Sequence, residues 1–199
     1  MKATKKIVVY GGAFNPPHLG HAAALDSLLK NFPCDEVWIM PSASRKDKQI
    51  SVSGKDRKEM VEAMLASQFS GTKTPIILSD FEINRDRPTV TYETKTELEN
   101  LHPGHEFHFL IGSDSAAEIE EKWVRGKELF SEARFAIVGR PKFKIPEKLP
   151  QFSSVIGVLP ESLDMSSTLV RDKISKGESV TPYLLPAVEQ YIKDRNLYK

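Results

Sequence analysis

The chain has 199 residues, 40% of them apolar, with 28 basic against 27 acidic side chains and a net charge of +1. That length is enough to bury a real core in one domain, and the charge balance argues against an electrostatic nucleic-acid binder, whose footprint is a basic surplus on one face. One cysteine, Cys34, excludes a disulfide framework or a thiolate metal cluster.

The apolar run behind the basic N-terminus covers only 7–10. A signal-peptide core needs roughly 7–15 apolar residues and a spanning helix about 20. A soluble protein of a reducing compartment, the cytoplasm, is therefore expected, with neither membrane nor nucleic acid as partner.

In chain order, KIVVY (6–10) reads as a strand buried on both faces. Leu25, Leu28, Leu29 and Phe32 then share one helical face. EVWIM (36–40) is a second strand. Ser53 and Asp56 have the spacing of a capping box, followed by an apolar stripe of Met60, Val61, Met64 and Leu65. PIILSDFEI (75–83) reads as a third strand, although its tail alternates, and Thr91 as the cap of a short helix through Leu101. EFHFLIG (106–112) and RFAIVG (134–139) are further strands, with a helix-like stretch between them over 123–130. SVIGVL (154–159) is the last strand, and two helices close the chain at 167–176 and 184–196. Strands alternating with helices at this spacing imply right-handed crossovers and a parallel sheet covered on both faces. Ligands in such sheets sit at the carboxyl ends of the strands. The segments 11–21, 41–48 and 112–114, together with Arg140, all fall there.

The segment GGAFNPPHLGH (11–21) joins the first strand to the first helix. Gly11 and Gly12 allow a sharp bend and a close approach to a ligand, Pro16 and Pro17 stiffen the loop, and a helix start offers unpaired N–H groups to phosphate. His18 and His21, at i and i+3, lie on one side of that start and suit charge developing on a phosphate chain. No acidic or cysteine partner is spaced to make them a metal site. The loop has neither the Gly-Lys-Ser/Thr of a Walker loop nor a G-x-G-x-x-G run. A second helix start, MSSTLVRDKI (165–174), offers the hydroxyls of Ser166, Ser167 and Thr168, with Arg171 one turn on.

Together, G-G-x-F-x-P-x-H-x-G-H and S-S-T-x-x-R resemble the two signatures of the HxGH nucleotidylyltransferases. Further stretches, DFEINRDRPTVTYET (80–94), FLIGSDS (109–115) and Trp123, are similar to the nicotinate mononucleotide adenylyltransferases among them. The resemblance implies an α/β fold, a Rossmann-like doubly wound parallel sheet with C-terminal helices. It also implies a single nucleotidylyltransferase domain over 1–199, with its helical part at about 160–199.

The implied reaction is adenylyl transfer from ATP to nicotinate mononucleotide, with loss of pyrophosphate, in NAD biosynthesis. The same transfer to nicotinamide mononucleotide or to pantetheine phosphate, and a non-catalytic nucleotide-binding domain, are the alternatives. His18, His21 and Arg171 are the expected catalytic residues. ATP is expected on Gly11, Gly12, Ala13, Phe14, Gly112, Asp114, Ser166, Ser167 and Thr168. The mononucleotide is expected on Asn15, Lys48, Thr91, Trp123 and Arg140. Trp123 would stack on the pyridine ring and Thr91 would hold its substituent through backbone groups.

Mg²⁺ is expected as a phosphate-bound cofactor accompanying ATP. The partners are ATP and a pyridine mononucleotide, with homo-oligomerisation left open. Two departures from the family pattern bear on the acceptor. PSASRKDK (41–48) has Asp47 where the family has histidine, leaving Arg45, Lys46 or Lys48 as the basic residue, and Asn15 stands where many members carry aspartate.

Overall fold

The first strand buries Ile7, Val8, Val9 and Tyr10 on both of its faces, so both must be covered by other elements. A computed structural model describes residues 4–43 and 52–199. The strands are β1 (Lys6–Gly12), β2 (Glu36–Pro41), β3 (Ile76–Leu78), β4 (Glu106–Gly112), β5 (Arg134–Gly139) and β6 (Phe152–Val158). They form one sheet in the order β3-β2-β1-β4-β5-β6, parallel at every pairing. The helices are α1 (Leu19–Asn31), α2 (Gly54–Gln68), α3 (Thr91–Leu101), α4 (Ser113–Ala116), α5 (Ile119–Lys122), α6 (Gly126–Glu132), α7 (Ser167–Ser175) and α8 (Pro186–Asp194).

The alternation along β1 divides the core. Val8 and Tyr10 pack with Leu25, Leu28, Met60, Met64, Val170 and Val188, from α1, α2, α7 and α8. Ile7 and Val9 pack with Leu98, Ile119, Leu129 and Phe135, on the α3–α6 side. Each fully buried aliphatic side chain contributes roughly 1.5–3 kcal/mol of transfer free energy. This is the doubly wound α/β architecture the sequence implies. Because β1 is followed outward by β2 while β4 lies on its other side, the loops leaving β1 and β4 part from each other. The crevice between them is where such folds bind ligands.

The structure departs from the sequence reading in three places. The third strand ends at Leu78 rather than running to 83. The Ser79 hydroxyl accepts the Phe81 N–H and the Glu82 carbonyl accepts the Arg85 N–H, so local turns replace the ladder. Thr91 is the first residue inside α3, not its cap; Val90 holds that position and supplies no side-chain oxygen. The expected helix over 123–130 is broken, since Trp123 ends α5 and Arg125 is left-handed (φ 54°) before α6 begins. Gly126 permits that break, because a Cβ there would stand 1.9 Å from the Ile119 carbonyl oxygen.

Candidate active site

The loop after β1 is shaped by Phe14 rather than by its glycines. Gly11 and Gly12 complete the extended strand, and the left-handed residue is Phe14 (φ 46°). Its buried ring meets Tyr10 edge-on at 5.4 Å and His21 at 5.0 Å between centroids. Gly12 faces that ring: a Cβ there would lie 3.3 Å from it, whereas one on Gly11 would meet nothing closer than 3.9 Å.

His18 occupies the N-cap of α1, and its ring lies against that of His21 with centroids 3.8 Å apart. The His18 N–H donates to His21 Nδ1 at 3.1 Å. An accepting Nδ1 places the proton of a neutral His21 on Nε2, which is therefore a donor. His18 Nδ1 is buried and has no partner among the described residues. Burial, then the charge of Arg140, takes the His18 imidazole down to about 3. Burial, His18 and Arg140 together hold His21 well below the usual range. Both rings are thus neutral near pH 7 until an anion arrives, and an adjacent polyphosphate favours their protonation.

The opening turn of α1 is less bare than the sequence suggests. The Leu19 N–H donates to the Tyr183 carbonyl at 2.9 Å, and the His18 N–H is taken by His21. Among the described residues the Gly20 N–H remains without a partner, so the two imidazoles carry most of what this helix start offers an anion. Gly20 also makes room for His18. A Cβ on it would lie 3.0 Å from His18 Nδ1 and 3.4 Å from Met165 Cγ. Gly20→Ala is expected to tilt the imidazole and to lower kcat by about threefold to tenfold with little change in Tm, checked by initial rates and thermal unfolding.

The second helix start docks directly on the first loop. Ser167 Oγ donates to the Pro16 carbonyl at 2.9 Å and Arg171 Nη1 to the Asn15 carbonyl at 2.8 Å. Arg171 Nη2 reaches Thr168 Oγ1 at 3.3 Å, and Ser166 caps α7 by accepting the Leu169 N–H at 3.2 Å. The Ser166 and Ser167 hydroxyls, expected on ATP, thus already make contacts within the protein. The N–H groups of Ser167 and Thr168 have no partner among the described residues.

Arg140, at the end of β5, donates from Nη1 to Asp114 Oδ2 at 2.7 Å and from Nη2 to the Met165 carbonyl at 3.0 Å. It therefore joins the first turn of α4, directly after β4, to the approach of α7, beside the histidines rather than with Thr91. Gly112 allows this packing, since a Cβ there would lie 2.3 Å from Asp114 Oδ1 and 2.8 Å from Arg140 Cδ.

Thr91 and half-buried Trp123 form a second group. Arg125, two residues after Trp123, lies over the Tyr92 ring at 3.9 Å, which ties the Trp123 turn to the start of α3. The Thr91 and Tyr92 N–H groups have no partner among the described residues. Beneath them, buried Glu82 accepts from Thr94 Oγ1 at 2.5 Å and is bonded to Thr89, while burial raises its carboxyl above the ordinary value. Lys48, with Arg45 and Lys46, lies outside the described residues.

Two further contributors went unnoticed in the sequence. Arg57 of α2 donates to the Ala13 carbonyl at 2.6 Å, and the Tyr198 hydroxyl donates to Asn15 Oδ1 at 2.7 Å. Arg57 left a signal: it falls at i relative to Met60, Val61 and Met64, on a stripe that is otherwise apolar and buried. Tyr198 left none, since its contact spans 183 positions.

The model of a family described as cytidylyltransferase-like matches residues 9–173. A protein of Shouchella clausii named "probable nicotinate-nucleotide adenylyltransferase" is 35% identical, over 98% of this chain and 97% of its own length. A similarly named protein of Exiguobacterium sibiricum is 33% identical over 97% and 98%. Among solved structures, Plasmodium falciparum nicotinic acid mononucleotide adenylyltransferase complexed with NaAD superposes with a TM-score of 0.88 at 30% identity, covering 98% of this chain and 97% of that one.

Proposed function

The chain belongs to the nicotinate-nucleotide adenylyltransferases of the cytidylyltransferase-like family, and from that membership we propose that it joins the adenylyl group of ATP to nicotinate mononucleotide. A phosphate oxygen of the mononucleotide attacks the α-phosphorus of ATP in line, the bond from that phosphorus to the bridging oxygen breaks, and pyrophosphate leaves with the bond's electrons. The product is the deamido-NAD dinucleotide. The attacking phosphate is itself a competent nucleophile, so the protein supplies position and charge stabilisation.

The observation that carries this reading is the junction of the two helix starts, where Arg171 and Ser167 bond the Asn15–Pro16 loop that leads into His18. A polyphosphate lying over that junction meets His18 and His21 on one side and Arg171 with the first turn of α7 on the other. His21 Nε2–H donates to an oxygen of the reacting phosphate, and Arg171 holds the leaving pyrophosphate.

Among the described residues no three His, Cys, Asp or Glu side chains gather to hold an ion, and Asp114 is engaged by Arg140. In the proposed reaction Mg²⁺ arrives on the phosphates of ATP, as part of the substrate. The unpaired N–H groups at the start of α3 favour an anionic ring substituent, which supports the acid over the amide as acceptor. No helix among the described residues is long and apolar enough to cross a membrane.

The test is pyrophosphate release with ATP, Mg²⁺ and each of nicotinate mononucleotide, nicotinamide mononucleotide and pantetheine phosphate. Nicotinate mononucleotide is expected to give the highest kcat/KM. A higher value with either other acceptor replaces the proposed substrate, and no release with any of them removes the reaction.

A further inference from the structure

Arg57 is a cation only 3% exposed, on the inner stripe of α2. Burying a charge costs several kcal/mol unless it is paired and hydrogen-bonded. Among the described residues no carboxylate pairs with it. Its guanidinium instead donates to backbone carbonyls: from Nη1 to Ala13 at 2.6 Å, and from Nη2 to Ser42 at 2.7 Å and to Ala43 at 3.5 Å. Its Nε is buried and has no partner among the described residues. Ala13 lies in the loop after β1, and Ser42 and Ala43 in the loop after β2, so one side chain spans the two chain segments that leave adjacent strands toward the crevice.

We propose that Arg57 is a positioning residue for adenylyl transfer, holding the loop after β1 in fixed relation to Ser42 and Ala43, directly after β2, through the Ala13 and Ser42 carbonyls. In a trans peptide the C=O and the following N–H point in opposite directions. By drawing the Ala13 carbonyl inward, Arg57 turns the Phe14 N–H away from itself, and that N–H has no partner among the described residues. The same grip keeps carbonyl oxygens, which repel phosphate, facing the guanidinium. The loop so held is the one that Arg171 and Tyr198 grip two residues later at Asn15. Packing alone does not call for a cation here, since a methionine would continue the Met60, Val61 and Met64 stripe with no charge to desolvate.

The proposal rests on the adenylyl-transfer reading, so the wild-type protein is assayed first by pyrophosphate release. A wild-type protein without turnover removes that reading and this role with it. Given turnover, Arg57→Met, Arg57→Lys and Arg57→Ala are compared by thermal unfolding and by initial rates over both substrates. Arg57→Met is expected to remain folded with kcat reduced at least about tenfold and KM for ATP changed less than about threefold. In Arg57→Ala, millimolar guanidinium ion is expected to restore part of kcat, and sodium chloride at equal ionic strength to restore none. Should Arg57→Met fail to fold, Arg57→Lys, which keeps the charge but not the planar fork, is expected to show the same loss of kcat. A folded Arg57→Met or Arg57→Lys with wild-type kcat overturns the proposal, as does an Arg57→Ala protein indifferent to guanidinium.

Discussion

His18→Ala and His21→Ala are each expected to lower kcat by about a hundred- to a thousandfold while KM for ATP shifts by less than about threefold. The reason is geometric. The rings lie 3.8 Å apart at the opening of α1, and the Nδ1 of His21 is spent on the His18 N–H. His21 is thereby left with Nε2 alone to offer a phosphate, and in the proposed reaction that interaction strengthens as charge moves onto the bridging oxygen. The double variant is expected to cost little more than either single one, because residues acting as a unit do not add. Equal losses in kcat and in ATP affinity would instead mean that the imidazoles hold ATP without distinguishing its transition state.

The same pair makes stability depend on pH. A histidine in the unfolded chain takes up its proton near pH 6.5, whereas in the folded chain His18 does so only at about 3. Between those values the unfolded chain binds more protons, so this group's contribution to stability is complete above about pH 6.5 and is lost as pH falls toward 3. Thermal unfolding at pH 7.5 and pH 5 is expected to show a smaller drop in Tm for His18→Ala than for the wild type.

Arg171→Ala is expected to lower kcat/KM for ATP by about a hundredfold or more. Two losses combine in it. The guanidinium bonds the Asn15 carbonyl and so seats α7 on the histidine loop, and in the proposed reaction it is also the cation, one turn into α7, that holds the leaving pyrophosphate. Arg171→Lys keeps a charge but cannot bond Asn15, Thr168 and a phosphate at once, and is expected to recover no more than about tenfold. Initial rates over a range of ATP concentrations check both. An Arg171→Ala protein with wild-type kcat/KM removes this residue from the site.

What the sequence made legible was what neighbours in the chain determine. His18 and His21 lie three positions apart, and Ser166 to Arg171 lie within two turns, so helix periodicity alone brings each group together. The strand ends that carry Gly112 and Arg140 follow from continuous apolar runs. What escaped was decided by contacts across long separations. Nothing near Tyr198 announces that it reaches Asn15, and Arg125 becomes informative only once its guanidinium is seen over Tyr92. Local chemistry misled in two places. Gly11 and Gly12 read as the bend of the loop, yet the left-handed residue is Phe14, whose ring is locked between Tyr10 and His21. The alternation of DFEI read as strand, yet burial of Glu82 against Thr94 and Thr89 folds that segment onto α3 instead. Arg57 lay between these cases, a charge on an apolar stripe whose partners were visible only in three dimensions.

The convergence of α1 and α7 on one polyphosphate is tested most directly by a crystal structure with a non-hydrolysable ATP analogue and the mononucleotide bound. If that convergence holds, phosphate oxygens lie within hydrogen-bonding distance of His18, of His21 and of Arg171 in the same molecule of nucleotide. A triphosphate that reaches the imidazoles but leaves Arg171 facing only Asn15 and solvent would contradict it.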